Sequence, residues 1–294
     1  MVKFVAVAVF LLVLGITTAQ AQAPGQSEVR LGIPYGPDPA QQLDLCLPAA
    51  KQPGLRPAAI MIHGGYWTMG DKGAYAALCK GAADQGIVSV SMGYRLANGD
   101  PHNRWPAQLV DAQLAVRWLR SHATDYGIDP ARICALGDSA GGHLAVFLAA
   151  LDHTIPGDYS KQLANVSSSI ACAVDNFGPV DLSADNYWPP DQLLFGSADR
   201  TQVKALERDA SPIYLIGPGT APIMIAHGKD DKAVNIDQSM LLSEHLKQAH
   251  VPVRMIQLKG GHEFEGMSTQ EMVAVLQQEL EFIKAAHPRG GRAF

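Results

Sequence analysis

Apolar and polar positions alternate with two different periods along this chain. Leu43-Asp44-Leu45-Cys46-Leu47 alternates every second residue, as a half-buried strand does. Ala58-Ala59-Ile60-Met61-Ile62 is wholly apolar and stops at His63-Gly64-Gly65, the pattern of a buried central strand. A helix is expected over 75–84 and a strand over 87–92. From Pro106 to about Tyr126 the period becomes helical. Val110, Leu114 and Trp118 recur every fourth residue, and Ala115 and Leu119 widen the stripe. A strand over 132–136 leads into a helix over 139–151. Further strands are expected over 170–174, 221–226 and 253–258, with helices over 237–249 and 269–286. Met272, Leu276, Leu280 and Ile283 give the last helix one apolar face. Strands separated by helical segments predict the α/β class, a mostly parallel central sheet with helices on both faces. Two stretches, 152–168 and about 178–220, break the alternation. The second holds Trp188, Pro189, Pro190, Phe195 and Tyr214, and reads as a small lid-like insertion over the carboxyl ends of the strands.

The first residues do not belong to this pattern. Met1-Val2-Lys3 carries one positive charge, Phe4 to Ile16 is almost wholly apolar, and Thr17 to Ala23 offers two Ala-x-Ala cleavage sites. That is the layout of an export signal over 1–23, with one folded domain over 24–294. The apolar run is shorter than the ~20 residues that span a bilayer. A secreted or periplasmic protein, free of the membrane after cleavage, is therefore expected. Composition agrees with a globular domain: 47% hydrophobic and 17% charged residues. A net charge of −5 with no basic run argues against a nucleic-acid partner. Cys46, Cys79, Cys134 and Cys172 form no Cys-x-x-Cys pair, so no metal or redox motif is present. An oxidising compartment permits disulfides, but Cys134 and Cys172 lie in apolar strand-like runs where buried thiols fit equally well. The spacing does not pair them.

Gly137-Asp138-Ser139-Ala140-Gly141 is a Gly-x-Ser-x-Gly pattern between an apolar strand and a helix. Such a turn holds a serine hydroxyl clear of the sheet at a helix N-terminus, which favours developing negative charge. Ser139 is the expected nucleophile. A serine hydroxyl needs a base, and the base needs an orienting carboxylate. His262, after the last strand and beside Gly260-Gly261, is the expected base. Asp230 and Asp231 both lie in the loop that supplies the acid. A tetrahedral intermediate needs two N–H donors. Ala140 can supply one, and Gly65 or Tyr66 the other, from the loop His63-Gly64-Gly65-Tyr66-Trp67. His63 is expected to brace that loop. Tyr66, Trp67 and Trp188 are expected to wall the substrate pocket. This chemistry calls for no metal and no organic cofactor.

Three motifs together resemble the α/β-hydrolase superfamily: His63-Gly64-Gly65, Gly137 to Ala145, and His227-Gly228-x-x-Asp231. They are most similar to its secreted esterase/lipase branch, which has bacterial feruloyl-esterase-like and acetyl-xylan-esterase-like members. Ala115 to Arg120, Tyr126 to Ile133 and Ala210 to Ile213 resemble that branch too. The resemblance covers about 28–286. It implies an α/β-hydrolase fold, Asp231 rather than Asp230 as the acid, and a serine carboxylesterase. Short-chain or polysaccharide-linked acetyl or feruloyl esters are the implied substrates. His63 to Trp67 is also similar to arylformamidases, which makes an amide hydrolase the first alternative. A non-catalytic binding protein is the second, against which the intact Ser-Asp-His set argues. The chain departs from the branch at Tyr66, where many members carry a third glycine, and at Glu263, which puts a carboxylate beside the base. The sequence does not set the oligomeric state.

Overall fold

The structure, a computed structural model, describes residues 26–49, 54–151, 163–184, 191–196 and 199–287. Eight strands form one sheet: β1 (Glu28–Pro34), β2 (Gln42–Leu47), β3 (Arg56–Ile62), β4 (Val88–Met92), β5 (Ile128–Asp138), β6 (Cys172–Asn176), β7 (Ile223–Gly228) and β8 (Val253–Leu258). Their spatial order is β1-β2-β4-β3-β5-β6-β7-β8. The pairs β1–β2 and β2–β4 are antiparallel and the rest are parallel. The chain leaves β3 for β4 on one side and returns to β5 on the other. The order therefore reverses between β3 and β5, and ligands in open α/β sheets bind beyond the carboxyl ends at such a point.

The helices are α1 (Ala76–Asp84), α2 (Ala107–Ser121), α3 (Ala123–Tyr126), α4 (Ala140–Ala150), α5 (Asp191–Leu194), α6 (Arg200–Asp209), α7 (Asp237–Gln248) and α8 (Thr269–Lys284). They cover both faces, which explains the unbroken apolar run of β3. Ala58, Ile60 and Ile62 join one core cluster, with residues of α2 and α4. Ala59 and Met61 join the other, with Cys79, Ala82 and Ala83 of α1 and Leu280 and Ile283 of α8. Successive side chains of a strand point to opposite faces, so a strand covered twice must be apolar throughout.

Several expectations are corrected. The alternation in β2 does not mark a wet face, because α1 covers that side and Asp44 is buried. Asp44 instead accepts from Gly32 N at 2.8 Å and pairs with Lys72 at 3.1 Å. The long helix expected to reach Tyr126 breaks at His122 into α2 and α3. The helix after the nucleophile begins at Ala140, not at Ser139. Strand β1 was not anticipated, since Val29 and Leu31 are exposed and the strand has no apolar face. It is held by backbone pairing to β2.

The 178–220 stretch leaves the carboxyl end of β6. Its described parts contain α5, α6 and a 3-10 turn at Pro212–Leu215. Leu194, Phe195, Val203, Ala210 and Ile213 from this stretch join the main core. All four cysteines are paired, as Cys46–Cys79 and Cys134–Cys172. The second bond joins register partners on β5 and β6. Among the described residues, no helix is long and apolar enough to cross a membrane.

Candidate active site

The Gly-x-Ser-x-Gly turn is tight because its backbone passes close to its neighbours. A Cβ on Gly141 would lie 1.9 Å from the carbonyl oxygen of Ile62 in β3, and one on Gly137 would lie 2.3 Å from the Gly141 carbonyl. The turn places Ser139 at φ 50° and ψ −116°, a conformation that L-residues rarely adopt. Ser139 N donates to Asn176 O of β6 at 2.8 Å, which ties the strained residue to the sheet. The first N–H groups of α4, from Ala140 onward, have no intrahelical acceptor and face the same end of the sheet.

His262 comes from the turn after β8, which is closed by Gly261 N donating to Glu265 O at 2.9 Å. Its Nε2 lies 3.1 Å from Ser139 Oγ, and its Nδ1 lies 2.7 Å from Asp231 Oδ2. A carboxylate only accepts, so Nδ1 carries the proton and Nε2 is left to accept from the serine hydroxyl. Asp231 Oδ1 accepts from Ala233 N at 2.8 Å and Val234 N at 2.9 Å. Burial alone would raise the Asp231 carboxyl. The hydrogen bonds from His227, His262 and Val234 outweigh it and hold the group well below the usual carboxylate range. Asp230 is exposed, whereas Asp231 Oδ2 is the carboxylate oxygen that meets His262 Nδ1, which resolves the choice between the two acids by geometry.

The loop after β3 takes an uncommon shape. Gly65, Tyr66 and Trp67 have φ of 109°, 53° and 60°, three left-handed residues in a row. Thr68 N and Met69 N both donate to Gly65 O at 3.0 Å. Among the described residues, the N–H groups of Gly65 and Tyr66 donate to no protein acceptor. His63 braces the loop from below: its ring stacks on Tyr94 at 4.3 Å, and Tyr94 donates to His63 O at 3.0 Å. Burial lowers the affinity of the His63 ring for a second proton. Asp138 Oδ1 accepts from Gly64 N at 3.1 Å and so ties this loop to the nucleophile turn.

The expected pocket walls fare differently. Tyr66 is half-buried, and its hydroxyl is raised by burial and then by Asp231 and Glu263. Trp67 is a correction. It is fully buried and packs edge-on against His143 at 4.9 Å, so it supports the loop from behind and faces no open pocket. Trp188 lies outside the described residues. Sequence reasoning missed Phe177, which follows β6 with φ 46° and meets the His262 ring edge-on at 4.7 Å.

It also missed the carboxyls behind the turn. Asp175 of β6 and Glu279 of α8 are fully buried, and burial pushes each up to about 7. Glu279 sits beside the Asn176 side chain, whose hydrogen bond opposes the effect of burial only in part, and both carboxyl oxygens of Glu279 and Asn176 Oδ1 are buried without a close partner. Among the described residues, no three His, Cys, Asp or Glu side chains are placed to hold a metal ion.

Comparisons with known proteins place this arrangement. The family model BD-FAE matches residues 43–246. Esterase LipC of Mycobacterium tuberculosis is 32% identical over 79% of this chain and 59% of its own length. The chain spans about half the length of curated relatives that it matches. Among solved structures, a truncated carbohydrate esterase from gut microbiota superposes with a TM-score of 0.73 and 26% identity, covering 88% of this chain and 99% of that one. Esterase Est2 of Thermogutta terrifontis gives a TM-score of 0.71 and 27% identity, covering 91% and 95%. The same esterase is also known phosphorylated by paraoxon.

Proposed function

The chain belongs to the BD-FAE family, and from that premise we propose that it is a serine carboxylic-ester hydrolase working through an acyl-enzyme. One observation carries the reading: Ser139 Oγ, His262 and Asp231 form a continuous hydrogen-bonded line of 3.1 and 2.7 Å on a strained turn. Ser139 attacks the acyl carbon while His262 Nε2 takes its proton and passes it to the leaving alcohol. Asp231 keeps the imidazole in the reactive tautomer and balances the imidazolium. The N–H groups of Ala140 and of Gly65 or Tyr66 receive the oxyanion. Water then attacks the acyl-enzyme by the same route.

Short-chain or carbohydrate-linked acetyl esters are the substrate class we favour. The carbohydrate esterase among the structural neighbours supports that choice. We propose further that the protein is exported, a reading supported by the leader-like first 23 residues and by two disulfides of the kind that persist in an oxidising compartment, and one that fits this substrate class.

The test is initial rates on p-nitrophenyl acetate, butyrate and octanoate, methyl ferulate, an acetylated xylo-oligosaccharide and an N-formyl aryl amide. Hydrolysis of the short esters is expected, falling by roughly a thousandfold or more in Ser139→Ala. A formamide turned over faster than every ester would move the assignment to amide hydrolysis. Ester rates untouched by Ser139→Ala would remove the nucleophile.

A further inference from the structure

We infer that His227 is a positioning residue for this reaction: its imidazole, oriented by Ser239, donates a second hydrogen bond to Asp231 and fixes the carboxylate that His262 relies on. The inference rests on the ester-hydrolase reading of the same site. His227 lies near the end of β7, is fully buried and is not bonded to the nucleophile. Its Nε2 sits 2.9 Å from Val234 O and 3.2 Å from Asp231 Oδ2. Both of those atoms only accept, so Nε2 carries a proton. Its Nδ1 sits 2.7 Å from Ser239 Oγ of α7, a hydroxyl free to donate to it. One neutral tautomer serves all three contacts, its Nε2–H shared between Val234 O and Asp231 Oδ2, whereas the other tautomer would set the Nε2 lone pair against both acceptors.

The result is an unbroken line, Ser139–His262–Asp231–His227–Ser239, that reads the same from either end. It joins β5, the turn after β8, the loop after β7, and α7. Asp231 Oδ1 takes two backbone N–H groups, and Oδ2 takes the His262 Nδ1–H at 2.7 Å and lies 3.2 Å from His227 Nε2, whose one N–H it shares with Val234 O. The second imidazole has two consequences. It stops the carboxylate from rotating as His262 gains and loses its proton. It also makes Asp231 a poorer base, so the proton taken from Ser139 stays on His262, from which it must reach the leaving group. Phe177 meets the ring at 6.4 Å, and the Asp175 carboxyl of β6 acts on it from the other side.

Two near-isosteric variants test this role. The amide of His227→Gln can reach the position of Nε2, whereas that of His227→Asn reaches only the Ser239 side. With p-nitrophenyl acetate, His227→Asn is expected to lose about 10- to 100-fold in kcat, the worth of a hydrogen bond to a charged group. Its KM is expected to stay within about threefold of wild type. His227→Gln is expected to recover most of the loss, and Ser239→Ala to lose a few-fold. Proton NMR gives a second readout that needs no turnover. The downfield His262 Nδ1–H resonance is expected to move further downfield in His227→Asn, because Asp231 Oδ2 then serves one imidazole instead of two. Equal kcat in the Gln and Asn variants, or an unmoved resonance in folded His227→Asn, would overturn the inference. If wild type hydrolyses no ester, the ester reading falls, and the resonance alone decides the role of His227.

Discussion

Asp138 sits where the nucleophile turn meets the loop after β3. Its Oδ1 holds Gly64 N, and the carboxyl also bonds to the Tyr75 side chain. Burial pushes the group up to about 6, opposed by those two hydrogen bonds. A proton on Asp138 weakens the pull on Gly64 and loosens the loop whose next two N–H groups are proposed to receive the oxyanion. Asp138→Asn keeps an acceptor for Gly64 but brings a second donor towards Tyr75. We expect kcat for p-nitrophenyl acetate to fall by about 3- to 10-fold, below the cost of losing a charged hydrogen bond outright. One inflection near pH 6 should disappear from the kcat–pH profile. A profile that superposes on wild type after scaling would show that Asp138 does not act on the loop. Ser139 and His262 were legible in the sequence because glycines and strand ends flag them, and the acid was narrowed to Asp230 or Asp231, with Asp231 favoured by the family resemblance alone. Asp138, Phe177 and the His227–Ser239 pair were not. What each does depends on which strands become neighbours, and strand order is not written in local spacing.

Most elements were legible where burial imposes a period, as in β3, α2, α8 and the strand–turn–helix around Ser139. Reading failed where burial is weak or interrupted. Strand β1 presents Leu31 at 72% exposure, so no alternation marks it. Helix α6 lies in an irregular stretch and is signalled mainly by its cap, Asp199 accepting from Thr201 N at 2.8 Å. The disulfides were unreadable for the same reason as the strand order. Cys134 meets Cys172 only because β5 and β6 are adjacent and in register, and Cys46 meets Cys79 only because α1 packs on β2. Cys46 and Cys79 are 33 residues apart, and closing a loop of that order stabilises the fold by about 3–4 kcal/mol in the chain-entropy account. The double variant Cys46→Ala/Cys79→Ala should therefore unfold at a lower urea concentration than oxidised wild type. Its kcat should be little changed, since no residue of the Ser139–Asp231 line lies on α1 or β2. An unchanged midpoint would show that the crosslink contributes no stability beyond the packing of α1 on β2.

At the scale of the whole molecule, the buried carboxyls set opposing limits on stability. Asp175 and Glu279 are pushed up to about 7 by burial, from ordinary values of 3.8 and 4.5. Below about pH 4 both are neutral in the folded and unfolded chain, and they impose no penalty. As pH rises towards 7, the unfolded chain ionises them freely while the fold resists, so stability falls through that window. Asp231 behaves in the opposite sense. Its carboxyl is held below the ordinary 3.8, so the stability it supplies is present above that value and is lost as pH falls beneath it. Together these groups put the stability maximum near pH 4, with a decline on the alkaline side that ends once both buried carboxyls have ionised. Glu279→Gln removes one ionisation without removing volume. The variant should gain roughly 5 °C in Tm at pH 8 relative to wild type and little at pH 4.5. Parallel Tm–pH curves for the two proteins, by calorimetry from pH 4 to 9, would show that Glu279 does not set the alkaline limb. The placement has a physical logic. Ser139 N bonds to the backbone of Asn176, the residue that separates these two carboxyls. The strand that anchors the strained nucleophile thus runs beside carboxyls whose burial favours the protonated form, and the fold carries the cost of that burial wherever the solution is alkaline enough to ionise them.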